Sequence, residues 1–84
     1  MTGRIDVDGT TYLELETVAD VFRVDAVVLE EAYAVGLLGP CLVRDARVLV
    51  AAASMDRVAT VVRLRVVLEC DLETVELALM QRGL

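Results

Sequence analysis

The sequence predicts a single small domain that is mainly α-helical, with about four helices and one small β-hairpin. Apolar residues recur at helical spacing in four segments, and 57% of the 84 residues are hydrophobic, which is enough to form a core. Two short β-prone runs, CLVR and RVLV, flank residues 45 and 46 and predict the hairpin. A chain of this length has room for one domain, spanning residues 1–84, and not for two.

Residues 1–10 are polar and glycine-containing, so we expect a loose lead-in with a short strand around residues 5–7. The following stretch, TYLELE, alternates before the pattern turns helical. A first helix is predicted from Glu16 to Phe22, since apolar residues recur there three and four positions apart. The residues of this apolar face are Leu15, Val18, Ala19 and Phe22.

A second helix is predicted to run to Val35. Asp25 is a favourable N-cap and Gly36 a favourable stop, because glycine adopts the left-handed conformation that ends many helices. Two short helices joined by about three residues, over residues 16–35, form a helix-turn-helix arrangement. Any other tight helical hairpin would produce the same periodicity, so both interpretations fit this segment.

Beyond Pro40, the pattern predicts the hairpin at residues 41–50 and a long helix at residues 52–69. The main apolar stripe of the long helix consists of Met55, Val58, Ala59, Val62 and Val66. Val61 and Leu64 add apolar surface outside this stripe, so more than one neighbour is needed to cover the helix.

A last helix is predicted at residues 71–82, capped by Asp71. Its acidic residues Glu73 and Glu76 suit the positive N-terminal end of a helix. Some apolar residues lie partly outside its core-facing stripe, and they either form a partner surface or complete the core. With Val61 and Leu64 they predict self-association, and we expect a dimer. These residues are Leu77, Met80 and Leu84.

The net charge of −6 belongs to the first half of the chain. Residues 1–40 carry eight acidic residues and two Arg, whereas residues 41–84 carry six of each. Such a domain repels a phosphate backbone and attracts a basic protein surface.

The residues for catalysis or metal binding are missing from the sequence. The chain has no His, and Cys41 and Cys70 form no CxxC pair, so neither a zinc site nor a Cys–His nucleophile is available. There is no Gly-rich phosphate loop, and Ser54 is the only serine. We therefore predict no enzyme activity and no cofactor. Because the sequence has neither a membrane-spanning apolar run nor a signal-peptide pattern, a cytoplasmic protein with reduced cysteines is expected.

The stretch LELETVADVFRVD, followed by VLEEAYAVGLLGP, resembles the first two helices of the N-terminal domain of MerR-type transcription regulators. Leu15 and Ala19 occupy positions that are buried in that family, and Val24 lies in the turn. The predicted order of elements is also similar, over roughly residues 12–82. The resemblance implies a MerR-like winged helix-turn-helix fold.

The second helix departs from the DNA-binding members of that family. They carry an Arg-Tyr-Tyr-Glu run where this chain has Glu30-Glu31-Ala32-Tyr33, so an anion replaces a cation expected near phosphate. The long dimerisation helix of those regulators is also missing, and Arg44 and Arg47 are the cations left for a backbone contact. A MerR-like DNA-binding regulator without an effector domain is therefore the alternative interpretation.

The chain more closely resembles the CbpM-type chaperone modulators, a branch of this fold that does not bind DNA. One match is the acidic second helix leading into Gly-x-x-x-Pro at residues 36–40. The other lies in RLRVVLECDLETVELALM, where the matching residues are Arg63, Leu64, Arg65, Leu68, Asp71, Ala78 and Leu79. The resemblance implies a cytoplasmic protein without a cofactor that binds the J-domain of a DnaJ-like co-chaperone and regulates its cooperation with DnaK.

As the resemblance implies, a J-domain recruits DnaK with a strongly basic helix, so an acidic module would be steered to the same surface. We expect the two to compete for that helix. Each acid by itself is more readily an ordinary solvated side chain, but their concentration favours a binding surface. An interaction module for a different basic partner is a third interpretation. The candidate contacts are Asp20, Asp25, Glu30 and Glu31 in the helical hairpin, with Glu73 and Glu76 as a second cluster.

Overall fold

A computed structural model describes residues 4–81, which form four strands and four α-helices. The strands are β1 (Arg4–Val7), β2 (Thr10–Glu14), β3 (Cys41–Arg44) and β4 (Arg47–Ala51). The α-helices are α1 (Leu15–Phe22), α2 (Ala26–Ala34), α3 (Met55–Val62) and α4 (Leu72–Gln81). None of the helices in this part of the chain is long and apolar enough to span a membrane.

The four strands form one antiparallel sheet in the order β1-β2-β4-β3. Its central pair is β2 with β4, in which Leu13 lies opposite Val50, so the two hairpins share a sheet although α1 and α2 separate them in the chain. The prediction of a mainly α, winged helix-turn-helix fold with one small hairpin is therefore wrong. The protein has a mixed α/β fold, with 55% helix and 23% strand.

The first hairpin, formed by β1 and β2, was not predicted from the sequence. Its two-residue turn consists of Asp8 and Gly9, with φ of 51° and 84°, as a type I′ hairpin turn requires. Thr11 lies opposite Asp6 and donates a 2.7 Å hydrogen bond to its carboxylate. The short strand expected around residues 5–7 is present as β1 at the edge of the sheet, whereas its pairing with β2 was not predicted.

The helix-turn-helix segment follows directly from β2. Arg23, which has a φ of 58°, follows the last residue of α1 and caps the helix, and the Val24 N–H donates to the Ala19 carbonyl at 3.0 Å. Asp25 caps α2 by accepting a 3.0 Å hydrogen bond from the Val27 N–H. Gly36, with a φ of 80°, lies just after α2 and prevents the helix from continuing. The predicted cap and stop of the second helix are both present.

The long helix expected at residues 52–69 is built from three consecutive helical segments. A 3₁₀ turn, Ala52–Ser54, leads into α3, and a π-turn, Arg63–Val67, follows it. The Leu68 N–H donates at 3.0 Å to the carbonyl of Arg63, five residues earlier. Val66, predicted in the core-facing stripe, lies within this wider turn and is exposed.

The core receives side chains from all four helices and from β4. Val61 belongs to this core with an exposed fraction of 0%, because the buried face of α3 runs through Val58 and Val61. Its predicted place on a self-association surface is corrected, since the side chain is already covered within one molecule. The largest fully buried side chains are Leu29, Leu38, Leu49, Leu79, Val18, Val50, Val58, Val61 and Val75.

Candidate partner interface

Three carboxylates meet where β2, α1 and α2 approach the second hairpin. Glu14, Glu16 and Glu30 line one shallow depression there. Glu14 is ion-paired, because its Oε2 lies 2.6 Å from Nη1 of Arg47. This hydrogen bond and charge interaction raise the pKa of Arg47. Leu15, Ala46, Arg47 and Val48 complete the lining.

Glu16 and Glu30 are the other two acids of this depression, and the charge of Glu16 also acts on Arg47. Both are exposed, and no ion pair joins either of them to a cation within residues 4–81. Asp20, one helical turn after Glu16, is exposed on the same face of α1. We call Glu16, Asp20 and Glu30 the acidic surface. The sequence interpretation selected Asp20 and Glu30 but not Glu16, whose available signal was its four-residue spacing from Asp20.

The other two acids predicted in the helical hairpin have structural partners. Asp25 is exposed and accepts the hydrogen bond that caps α2. Glu31 pairs with Arg65, with 3.2 Å between Oε1 and Nη2, and Arg65 also donates at 2.9 Å to the Cys70 carbonyl. Glu31 therefore ties α2 to the π-turn. Because the Arg65 Nε is buried without a hydrogen-bond partner in residues 4–81, losing this pair would leave the guanidinium still less satisfied.

The second predicted cluster, Glu73 and Glu76, lies on α4. Both side chains are exposed, and neither forms an ion pair within residues 4–81. On the same helix Leu77 and Met80, two of the self-association candidates, are 52% and 70% exposed. Of the remaining candidates, Leu64 is partly buried and packs against the core, and Leu84 lies outside the described residues.

The second hairpin, formed by β3 and β4, carries the two arginines that were predicted to contact phosphate. Arg44 lies opposite Arg47 at the end of that hairpin, and both residues are exposed. The guanidinium of Arg47 is nevertheless engaged by Glu14 at 2.6 Å. A nucleic-acid backbone would therefore have to displace a carboxylate from Arg47 and approach the carboxylates of Glu16 and Glu30.

The two cysteines lie at separate places in the fold. Cys41 is in β3, where burial raises the pKa of its thiol, and Cys70 lies between the π-turn and α4. Both are free thiols and only partly exposed. The described residues contain no group of three or more acidic or cysteine side chains placed to hold a metal ion.

Comparison of the chain with protein-family models, with curated proteins and with solved structures found no match.

Proposed function

We propose that the protein is a cytoplasmic chaperone modulator that binds the J-domain of a DnaJ-like co-chaperone and regulates its cooperation with DnaK. The observation that carries the proposal is the acidic surface. Glu16 and Glu30 face one depression and form no ion pair within residues 4–81, and Asp20 extends the same surface along α1. The resemblance to CbpM-type modulators adds the class of partner.

The acidic surface is suited to a basic helix. Its charges come from two packed helices, and the net charge of −6 gives the whole molecule the same sign. Complementary charge accelerates encounter between two proteins and orients them before they dock. A J-domain helix held in this way would no longer be free to contact DnaK, so we infer that regulation occurs by competition.

A titration of the full chain with the J-domain of the DnaJ homologue from the same cell tests the proposal directly. We expect calorimetry to record a saturable complex with a Kd of about 10 μM or tighter. The absence of heat and of co-migration at comparable concentrations would exclude this partner. In parallel, mixed duplex DNA is titrated at low salt, since binding that weakens steeply with added salt would favour a transcription regulator instead.

Charge reversal locates the contact. Glu16→Arg combined with Glu30→Arg is expected to slow association roughly ten- to hundredfold, because the steering charge is inverted at the docking point. Glu31 is left unchanged, since reversing it would set a second guanidinium against Arg65. Stopped-flow mixing with the J-domain measures the rate.

The matched control is Asp6→Arg combined with Asp56→Arg, which makes the same change in net charge at exposed positions on β1 and α3. We expect a much smaller change in its association rate. If the control slows association as much as the acidic-surface variant, net charge and not the acidic surface governs encounter, and the proposed location is wrong.

A further inference from the structure

The C-terminal part of the described chain has a charge imbalance of its own. Residues 66–81 contain four acidic residues and no cation. Two of the four have a role within the helix: Asp71 accepts a 2.8 Å hydrogen bond from the Thr74 N–H, and Glu73 lies in the first turn, where the helix dipole favours an anion. Glu76 lies beyond that turn and has no such role. The four residues are Glu69, Asp71, Glu73 and Glu76.

The same helix exposes large apolar side chains beside these charges. α4 directs Val75 and Leu79 into the core, while Leu77 and Met80 are 52% and 70% exposed. Spacings of three and four residues place the following four exposed side chains together on the face opposite the core. We call them the α4 face: Glu73, Glu76, Leu77 and Met80.

We propose that the α4 face is a docking surface for an amphipathic helix of a partner protein. Apolar residues of that helix would pack on Leu77 and Met80, and Lys or Arg residues along its edge would pair with Glu73 and Glu76. An apolar pair bordered by unpaired charges of one sign is suited to this kind of helix, because burial supplies affinity and the charges select the orientation.

Charge decides between this occupant and a second copy of the chain. Two α4 faces packed against each other would bring four carboxylates together, and the α4 face itself contains no cation to offset them. Like charges opposed across an interface disfavour association. A basic amphipathic helix gains from the same carboxylates, so it is the occupant that fits.

This surface belongs to a different helix from the acidic surface, and its chemistry does not require the partner to be a J-domain. The probe is therefore a fluorescently labelled helical peptide of about 15 residues, with leucines on one face and lysines on the other. Titration of the full-length protein into this peptide, followed by anisotropy, is expected to give saturable binding. A peptide with glutamate in place of lysine is expected not to bind.

Substitutions in the protein separate the α4 face from the rest of the surface. Leu77→Ala with Met80→Ala is expected to weaken binding at least tenfold, because both apolar anchors are lost while helix propensity is kept. The double substitution Glu73→Gln with Glu76→Gln is expected to make peptide affinity less dependent on salt concentration. Circular dichroism checks that each variant is folded.

Two controls complete the experiment. Val43→Ala truncates a similarly exposed side chain on β3, and Asp6→Asn with Asp56→Asn removes two charges from exposed positions outside both the α4 face and the acidic surface. Both are expected to leave peptide affinity within about twofold of the wild type. Equal binding by all the variants, or an equal loss in the Asp6 and Asp56 variant, would overturn the proposal. So would a wild-type dimer in sedimentation that Leu77→Ala with Met80→Ala converts to monomer, since the occupant would then be a second copy.

Discussion

The glycines that follow α2 allow a conformational cost to be separated from a steric one. Gly36 and Gly39 have φ of +80° and +79°, so Ala at either position would be forced into the same left-handed region. Open space surrounds a Cβ built on Gly36, but a Cβ on Gly39 would lie 2.9 Å from Ser54 Oγ and 3.5 Å from Arg57 Cδ. Ser54 is buried, so it has little room to move aside.

These distances determine how much each substitution is expected to lower the free energy of unfolding. Gly36→Ala is expected to lower the free energy of unfolding by about 1 kcal/mol, the cost of placing Ala in the left-handed region. Gly39→Ala bears the same cost plus overpacking of about 1–3 kcal/mol, for a total of about 2–4 kcal/mol. In a Ser54→Ala background the contact with Oγ is absent, so Gly39→Ala should again cost about 1 kcal/mol.

Urea denaturation followed by far-UV circular dichroism measures all of these variants. The double-mutant cycle of Gly39→Ala with Ser54→Ala then isolates the energy of the contact. If Gly39→Ala costs no more than Gly36→Ala, or if Ser54→Ala does not relieve it, the close approach of residue 39 to the 3₁₀ turn does not limit stability and the reasoning fails.

Three further predictions concern single side chains. Asp25→Ala removes the 3.0 Å cap of α2 and is expected to lower the free energy of unfolding by about 1 kcal/mol, whereas Asp25→Asn should keep most of the stability. Burial raises the pKa of the Cys41 thiol, so in a Cys70→Ser background iodoacetamide should alkylate it more slowly than glutathione at about pH 8; equal rates would contradict this. The hydrogen bond from the Thr74 N–H lowers the pKa of Asp71, so its carboxylate stabilises the fold at neutral pH and this contribution disappears as pH falls through the lowered pKa. The stability difference between the wild type and Asp71→Asn should therefore shrink on acidification, and a constant difference would refute the effect.

Features with a local cause could be predicted from the sequence. The Asp25 cap and the Gly36 stop act within a few residues of their own position, and both are present in the structure. The hairpin at residues 41–50 and the cap of α4 by Asp71 have the same local character. Caps and turns depend on the chemistry of one or two side chains, so their positions can be predicted without a tertiary fold.

The sheet could not be predicted in this way. β2 has five residues, and its partner β4 follows α1 and α2 in the chain, so the pairing of Leu13 with Val50 leaves no local pattern. The alternation in TYLELE was visible, but helical spacing begins within the same stretch and dominated the interpretation. The fold class was therefore wrong, although most of the helices were anticipated.

The candidate site also has features that could be predicted from the sequence and features that could not. The sequence by itself determined the acidic balance of the first half and the amphipathic character of its helices, because charge and periodicity are properties of neighbouring residues. Only the tertiary structure decided which acids are available. Packing α2 against the π-turn pairs Glu31 with Arg65, while the sheet pairs Glu14 with Arg47 and leaves Glu16 and Glu30 without an ion pair among the described residues. Ion pairs between residues more than thirty positions apart depend on distances in space, and these are set by how the helices and the sheet pack together.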